Sequence, residues 1–165
     1  MDKSLYLHPA RKQRMKRPEQ VVQIGIMSHL VPLMKFKPFM VIAIPNGGYR
    51  TKAEAGILKA MGQMDGATDF MLLFPGKIIL DNCTVTRREP PATVWVELKI
   101  KSIKYYKRGA RAGQPYDVVT PMSDEQKTFR DRVVAMGFDH RVVYALDIND
   151  GLNQTLKIMK EYGVE

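Results

Sequence analysis

Residues 93–100 alternate with period two: Val94, Val96, Leu98 and Ile100 fall on one side of an extended chain, and Trp95, Glu97, Lys99 and Lys101 on the other. This is the pattern of a strand with one apolar face, so the chain must build a sheet around it. The other face carries an acid and a lysine two positions apart. A carboxylate holds a hard cation and an ammonium steers an attacking hydroxide, a combination suited to phosphodiester hydrolysis. Taken alone, Glu97 and Lys99 are better explained as a solvated ion pair, because such residues are common and exposed pairs are worth about 0–1 kcal/mol.

The rest of the chain reads as helices and strands in alternation. Residues 1–17 carry Lys3, Arg11, Lys12, Arg14, Lys16 and Arg17 against Asp2, a basic arm ahead of one domain over 18–165. Pro18 opens an apolar helix to about Pro32, with Glu19 in its first turn. Residues 39–44 form a short buried strand, Asn46-Gly47-Gly48 turns the chain, and Thr51 with Glu54 has capping-box spacing for a helix that Gly62 stops. Strand 68–74 follows, with 77–80 returning as its hairpin partner across Pro75-Gly76, and 87–91 is a polar loop. No period holds from 101 to 121. Ser123 and Gln126 again have capping-box spacing, for a helix ending at Gly137, and 141–146 is a last strand. Asn149 or Asp150 starts a final helix with Leu152, Leu156 and Met159 on one face. That order of elements makes an α/β fold.

Asp69 lies near the start of its strand, behind a glycine-bearing loop, and a Mg²⁺ site needs only one or two carboxylates beside waters and phosphate oxygens. Asp65 is a rival, better read as a turn residue between glycines. Glu19 and Gln126 project from first helical turns and would complete the site. Each also has a plain structural explanation, Glu19 in the helix dipole and Gln126 in the capping box.

The formal net charge of +9 over 165 residues favours a polyanionic partner. Lys101, Lys104, Lys107, Arg108 and Arg111 surround Tyr105 and Tyr106 with no acid up to Arg111, so this segment can grip phosphates while its tyrosines stack on bases. A solvated loop fits equally well. Arg87 and Arg88 are weaker candidates for the same role. Cys83 is the only cysteine, which suits a reducing cytosol, and no run reaches the ~20 apolar residues of a membrane helix. His8, His29 and His140 lack zinc-ligand spacing, and neither a phosphate-binding loop nor a Gly-x-Ser-x-Gly elbow is present.

These residues resemble a known family, the stand-alone VRR-NUC nucleases of phage type, a branch of the PD-(D/E)xK superfamily. The resemblance runs from about Glu19 to Tyr162. It rests on Ile44-Pro45-Asn46-Gly47-Gly48, on Lys59, Gly62 and Gly66 ahead of Asp69, on Val96-Glu97-Leu98-Lys99, and on Ser123 and Gln126 leading to Gly137. It implies a restriction-endonuclease-like core, a central mixed β-sheet flanked by helices. It also implies Asp69 and Glu97 as ligands of Mg²⁺ or Mn²⁺, Lys99 acting on the water, Gln126 as an accessory residue and Glu19 as the acid of the first helix. The implied activity is a structure-selective DNA endonuclease, homodimeric, cutting branched DNA such as four-way junctions. Thr68 departs from the family's proline before the aspartate, and the segments before Trp95 and after Ile100 are long for the family. A non-catalytic nucleic-acid-binding module and an RNA endonuclease are the rival expectations.

Overall fold

The computed structural model describes residues 18–44, 52–81 and 84–164. Among them the chain forms α1 (Pro18–Leu33), β1 (Met40–Ala43), α2 (Lys52–Ala60), β2 (Phe70–Phe74), β3 (Lys77–Asp81), β4 (Thr84–Glu89), β5 (Ala92–Tyr105), β6 (Pro115–Val119), α3 (Asp124–Ala135), β7 (Asp139–Ala145) and α4 (Ile148–Glu161). The N-terminal basic arm, the Asn46-Gly47-Gly48 turn and the Thr51 cap lie outside the described residues.

β5 organises the sheet. Its first residues pair antiparallel with β2, from Phe74↔Ala92 to Phe70↔Val96, and β1 extends the sheet beyond β2. Val94–Ile100 pairs in parallel with β7, and Lys101–Tyr105 pairs antiparallel with β6. The result is a mixed α/β architecture, an open five-stranded sheet flanked by helices.

The apolar face of β5 is buried as its alternation requires. Val94, Val96 and Leu98 join Phe70, Leu72 and Phe74 of β2 and Val143 and Ala145 of β7 beneath α1 and α4. Pro18 has no amide to waste at the first turn of α1, and Val22, Ile26 and Leu30, four apart, form the stripe that meets the sheet. Each such side chain contributes roughly 1.5–3 kcal/mol by leaving water. Pro32 removes a backbone donor, and α1 ends one residue later.

Several sequence expectations change. Residues 77–80 do not return along β2, because β1 and β5 already occupy both of its edges. They pair instead with β4 in a separate two-stranded sheet, so much of the polar segment read as a loop is strand. The aperiodic segment after Ile100 is also strand: β5 runs on to Tyr105 and the chain returns as β6. Most of this ribbon is exposed on both faces, so it has no apolar period to read. β1 is an edge strand with only Val41 buried. α4 starts from Asp147, whose side chain accepts from the Asp150 amide, and its buried stripe is Gly151, Thr155, Ile158 and Met159, with Leu156 outside it. Small residues sit there because α1 lies close: a Cβ on Gly151 would stand 3.0 Å from Ile26 Cδ1.

Candidate active site

Asp69 ends the loop ahead of β2 and carries the pairing one step further, its amide donating to the Val96 carbonyl at 3.1 Å. The β2–β5 pairing ends at Phe70↔Val96, and just beyond it the Asp69 charge acts on Glu97. Asp69 and Glu97 thus form a two-carboxylate cluster at the end of that pairing. Asp69 Oδ2 accepts from the Leu98 amide at 2.7 Å, while its carbonyl accepts from the Ile44 amide at 2.8 Å and from Gln23 Nε2 at 2.9 Å.

Lys99 lies two residues along the same face, with Nζ 2.7 Å from Glu97 Oε1. Both side chains are buried, Glu97 at 1% and Lys99 at 4% exposure, which rules out the solvated ion pair. α3 covers them, and Phe129 meets the Trp95 ring edge-on at 5.4 Å. Ser123 caps α3 by accepting from the Gln126 amide, and the Gln126 side chain returns to the Ser123 amide at 2.9 Å. The same Gln126 oxygen accepts from Lys99 Nζ at 2.9 Å, and its Nε2 donates to Glu97 Oε1. Exchanging the amide's O and N would turn donors against the ammonium and the Ser123 N–H, so its orientation is fixed. Capping and site contact are served by one side chain.

Burial first, then the Asp69 charge, pushes the Glu97 carboxyl up to about 7 against the opposing pull of Lys99. Burial also raises Asp69, opposed by the Leu98 amide and Lys99. Glu19 adds a smaller upward push on both, so the start of α1 belongs to the same electrostatic cluster. Asp69 and Glu97, with Glu19 acting on both from α1, put more carboxyl groups in a partly buried place than the Lys99 ammonium offsets. A divalent cation relieves that surplus. Among the described residues no three His, Cys, Asp or Glu side chains converge tightly enough to cage a cation. Asp69 and Glu97 are the two carboxylates here that could hold a hard cation, with water and substrate oxygens as its other ligands.

Asp65 is excluded from the cluster: it pairs with Lys59 at 2.7 Å, both exposed, and is the turn residue its glycines suggested. His29 Nδ1 donates to the Gly25 carbonyl at 2.9 Å on α1, away from β7 where His140 stands. Lys101 pairs with Asp117 at 2.7 Å, and Lys104, Tyr105, Tyr106, Lys107, Arg108 and Arg111 are exposed on or beyond the β5–β6 ribbon. Thr68 is fully buried directly before Asp69. Sequence reasoning missed Gln23, which steadies the Asp69 backbone. Its signal was available, since a residue four after Glu19 shares a helix face with it.

No family model, curated protein or solved structure matches this chain.

Proposed function

We propose that the protein is a divalent-metal-dependent nuclease that hydrolyses phosphodiester bonds in DNA on a restriction-endonuclease-like core. The observation that carries this reading is the buried arrangement of Glu97, Lys99 and Gln126, with the Asp69 carboxylate bonded to the Leu98 amide between Glu97 and Lys99. The VRR-NUC resemblance assigns roles to these same positions.

Asp69 and Glu97 would hold Mg²⁺ or Mn²⁺. Bound there, the cation supplies Lewis acidity, lowering the pKa of a water and offsetting charge on the phosphate. Lys99 has three N–H donors and directs two at Glu97 and Gln126, which leaves one to orient the attacking water. Gln126 holds the ammonium and the carboxylate in register, and α3 keeps bulk water from both. Glu19 adds negative charge at the metal's position.

A homodimer acting on branched DNA accompanies this proposal. Val21, Ile24 and Val31 form an exposed, uncharged stripe on α1 of an otherwise cationic molecule, and analytical ultracentrifugation reads whether copies associate. Among the described residues no helix is long and apolar enough to cross a membrane.

The test is incubation with single-stranded, linear duplex, flap and four-way-junction DNA and with RNA, in Mg²⁺, Mn²⁺ or chelator. Cleavage in metal, lost by roughly 10²-fold or more in Asp69→Asn and Lys99→Ala without loss of DNA binding, is the expected result. Full metal-dependent activity in Lys99→Ala overturns the proposal. The cationic ribbon favours a second reading, a non-catalytic nucleic-acid-binding module, marked by salt-dependent affinity without scission.

A further inference from the structure

The β5–β6 ribbon carries a cluster separate from the carboxylates. Residues 101–119 contain five cations, Lys101, Lys104, Lys107, Arg108 and Arg111, against one acid, Asp117. Asp117 is taken by Lys101. Lys104, Lys107 and Arg108 meet no carboxylate among the described residues and are exposed.

Strand alternation sorts the ribbon's side chains. Lys101, Ile103 and Tyr105 continue the parity of Glu97 and Lys99, while Lys104 and Tyr106 belong to the other face. Across the ribbon Tyr116 pairs with Lys104, so Tyr106 and Tyr116 are diagonal neighbours. Their rings lie 4.6 Å apart, tilted by 37°, and Arg111 stands 6.0 Å over Tyr106. The pairing that holds this end continues past β5, with the Tyr106 amide donating to Gln114 at 3.1 Å and its carbonyl accepting from Gly113 at 2.9 Å. These aromatics are not core residues, since Tyr106 and Tyr116 each keep 37% of their surface in water.

Two rings and a guanidinium, open to solvent and flanked by unneutralised cations, have the composition of a base-stacking surface with backbone contacts on either side. A closed duplex offers no free base face to such a surface. An unpaired nucleotide does.

We propose that Tyr106, Tyr116 and Arg111 form a stacking platform for an unpaired base, with Lys104, Lys107 and Arg108 holding the adjoining phosphates. The ligand is a nucleic acid with a single-stranded segment. This deepens the nucleic-acid reading of the ribbon and is independent of whether the carboxylate site cleaves.

The experiment is fluorescence anisotropy in chelator, where no metal-dependent scission occurs, using a labelled single-stranded DNA of about 12 nucleotides and a blunt duplex. The Tyr106→Ser/Tyr116→Ser variant is expected to bind the single strand roughly ten-fold more weakly, with unchanged duplex affinity and unchanged salt dependence. Lys107→Ser/Arg108→Ser is expected to weaken both ligands and to make the salt dependence shallower. Unchanged melting temperatures verify that these exposed substitutions leave the fold intact. Wild-type single-strand affinity in the tyrosine variant, or an equal loss on single strand and duplex, overturns the platform. Failure of the wild-type protein to cleave in Mg²⁺ or Mn²⁺ overturns the nuclease proposal instead and leaves this result standing.

Discussion

Gly66 and Gln126 are packed so closely that a Cβ on Gly66 would stand 2.6 Å from the Gln126 backbone nitrogen. The loop ahead of Asp69 thus presses against the first turn of α3, and one contact sets the spacing between the Asp69 carboxylate just before β2 and the amide that holds Lys99. Gly66 also has φ +76°, a left-handed conformation that costs a side chain about 1 kcal/mol. Gly62 is the natural control, with φ +92° and open space around its missing Cβ.

Gly62→Ala is therefore expected to lose about 1 kcal/mol of stability, and Gly66→Ala a further 1–3 kcal/mol from overpacking against backbone. Urea unfolding measures both. Metal-dependent cleavage should fall in Gly66→Ala beyond what its unfolded fraction explains and stay near wild type in Gly62→Ala. Equal stability losses would mean that the loop does not press on α3.

Glu97 sets a pH dependence for the metal-free protein. Its carboxyl rises on folding from 4.5 to about 7, so between those values the folded chain holds a proton that the unfolded chain has released. Stability contributed by this group is complete below the lower value and is lost as pH rises through the upper one, by at most roughly 3 kcal/mol. Asp69, also raised, acts in the same direction. His140, lowered chiefly by burial, acts oppositely as its ordinary range is crossed, so the bare profile mixes signs. The useful measurement is the difference between wild type and Glu97→Gln in chelator from about pH 5 to about pH 8, which should narrow steadily in the mutant's favour. A constant difference would show that Glu97 does not titrate there.

Among the described residues Lys99 is the only cation in contact with Glu97, and both are buried. Removing one partner of such a pair typically costs 3–5 kcal/mol, because the remaining charge is left without compensation. Lys99→Met should be destabilised on this scale at about pH 8 and less at about pH 5, where Glu97 takes up a proton. Adding Glu97→Gln to Lys99→Met should recover about 1–3 kcal/mol. A double-mutant cycle by urea titration reads the coupling, and additive losses would contradict a direct interaction.

Much of this site was written in local pattern. The alternation around Glu97 and Lys99 places both on one face, and the spacing of Ser123 and Gln126 marks the turn that covers them. What the pattern lacks is register: nothing in residues 68–74 says that Asp69 reaches the Leu98 amide beside Glu97, because that depends on which edge of β5 is taken. The same gap explains β3, whose apolar run suggested a partner in β2 although both edges of β2 were occupied. The ribbon escaped notice because strands exposed on both faces carry no hydrophobic period. In α4 a stripe built from Gly151 and Thr155 reads as polar, although close approach of α1 is what selects small side chains there.

β5 links the carboxylate site to the stacking platform as one uninterrupted strand, and its length has a measurable consequence. From Lys99 to Tyr106 the backbone advances about 23 Å at roughly 3.3 Å per residue. That matches about seven nucleotides of a strand in a duplex lying along the ribbon, at 3.4 Å each. If the protein cuts DNA while holding an unpaired base on Tyr106 and Tyr116, its cuts should fall about seven nucleotides from the duplex end that borders the single-stranded segment. Deleting Ser102 and Ile103 together with their partners Val118 and Asp117 removes two facing pairs and keeps the alternation beyond them. Cuts mapped on sequencing gels should then move about two nucleotides toward the single-stranded segment. A cut site that stays in place in the shortened protein would separate the platform from the positioning of the scissile bond.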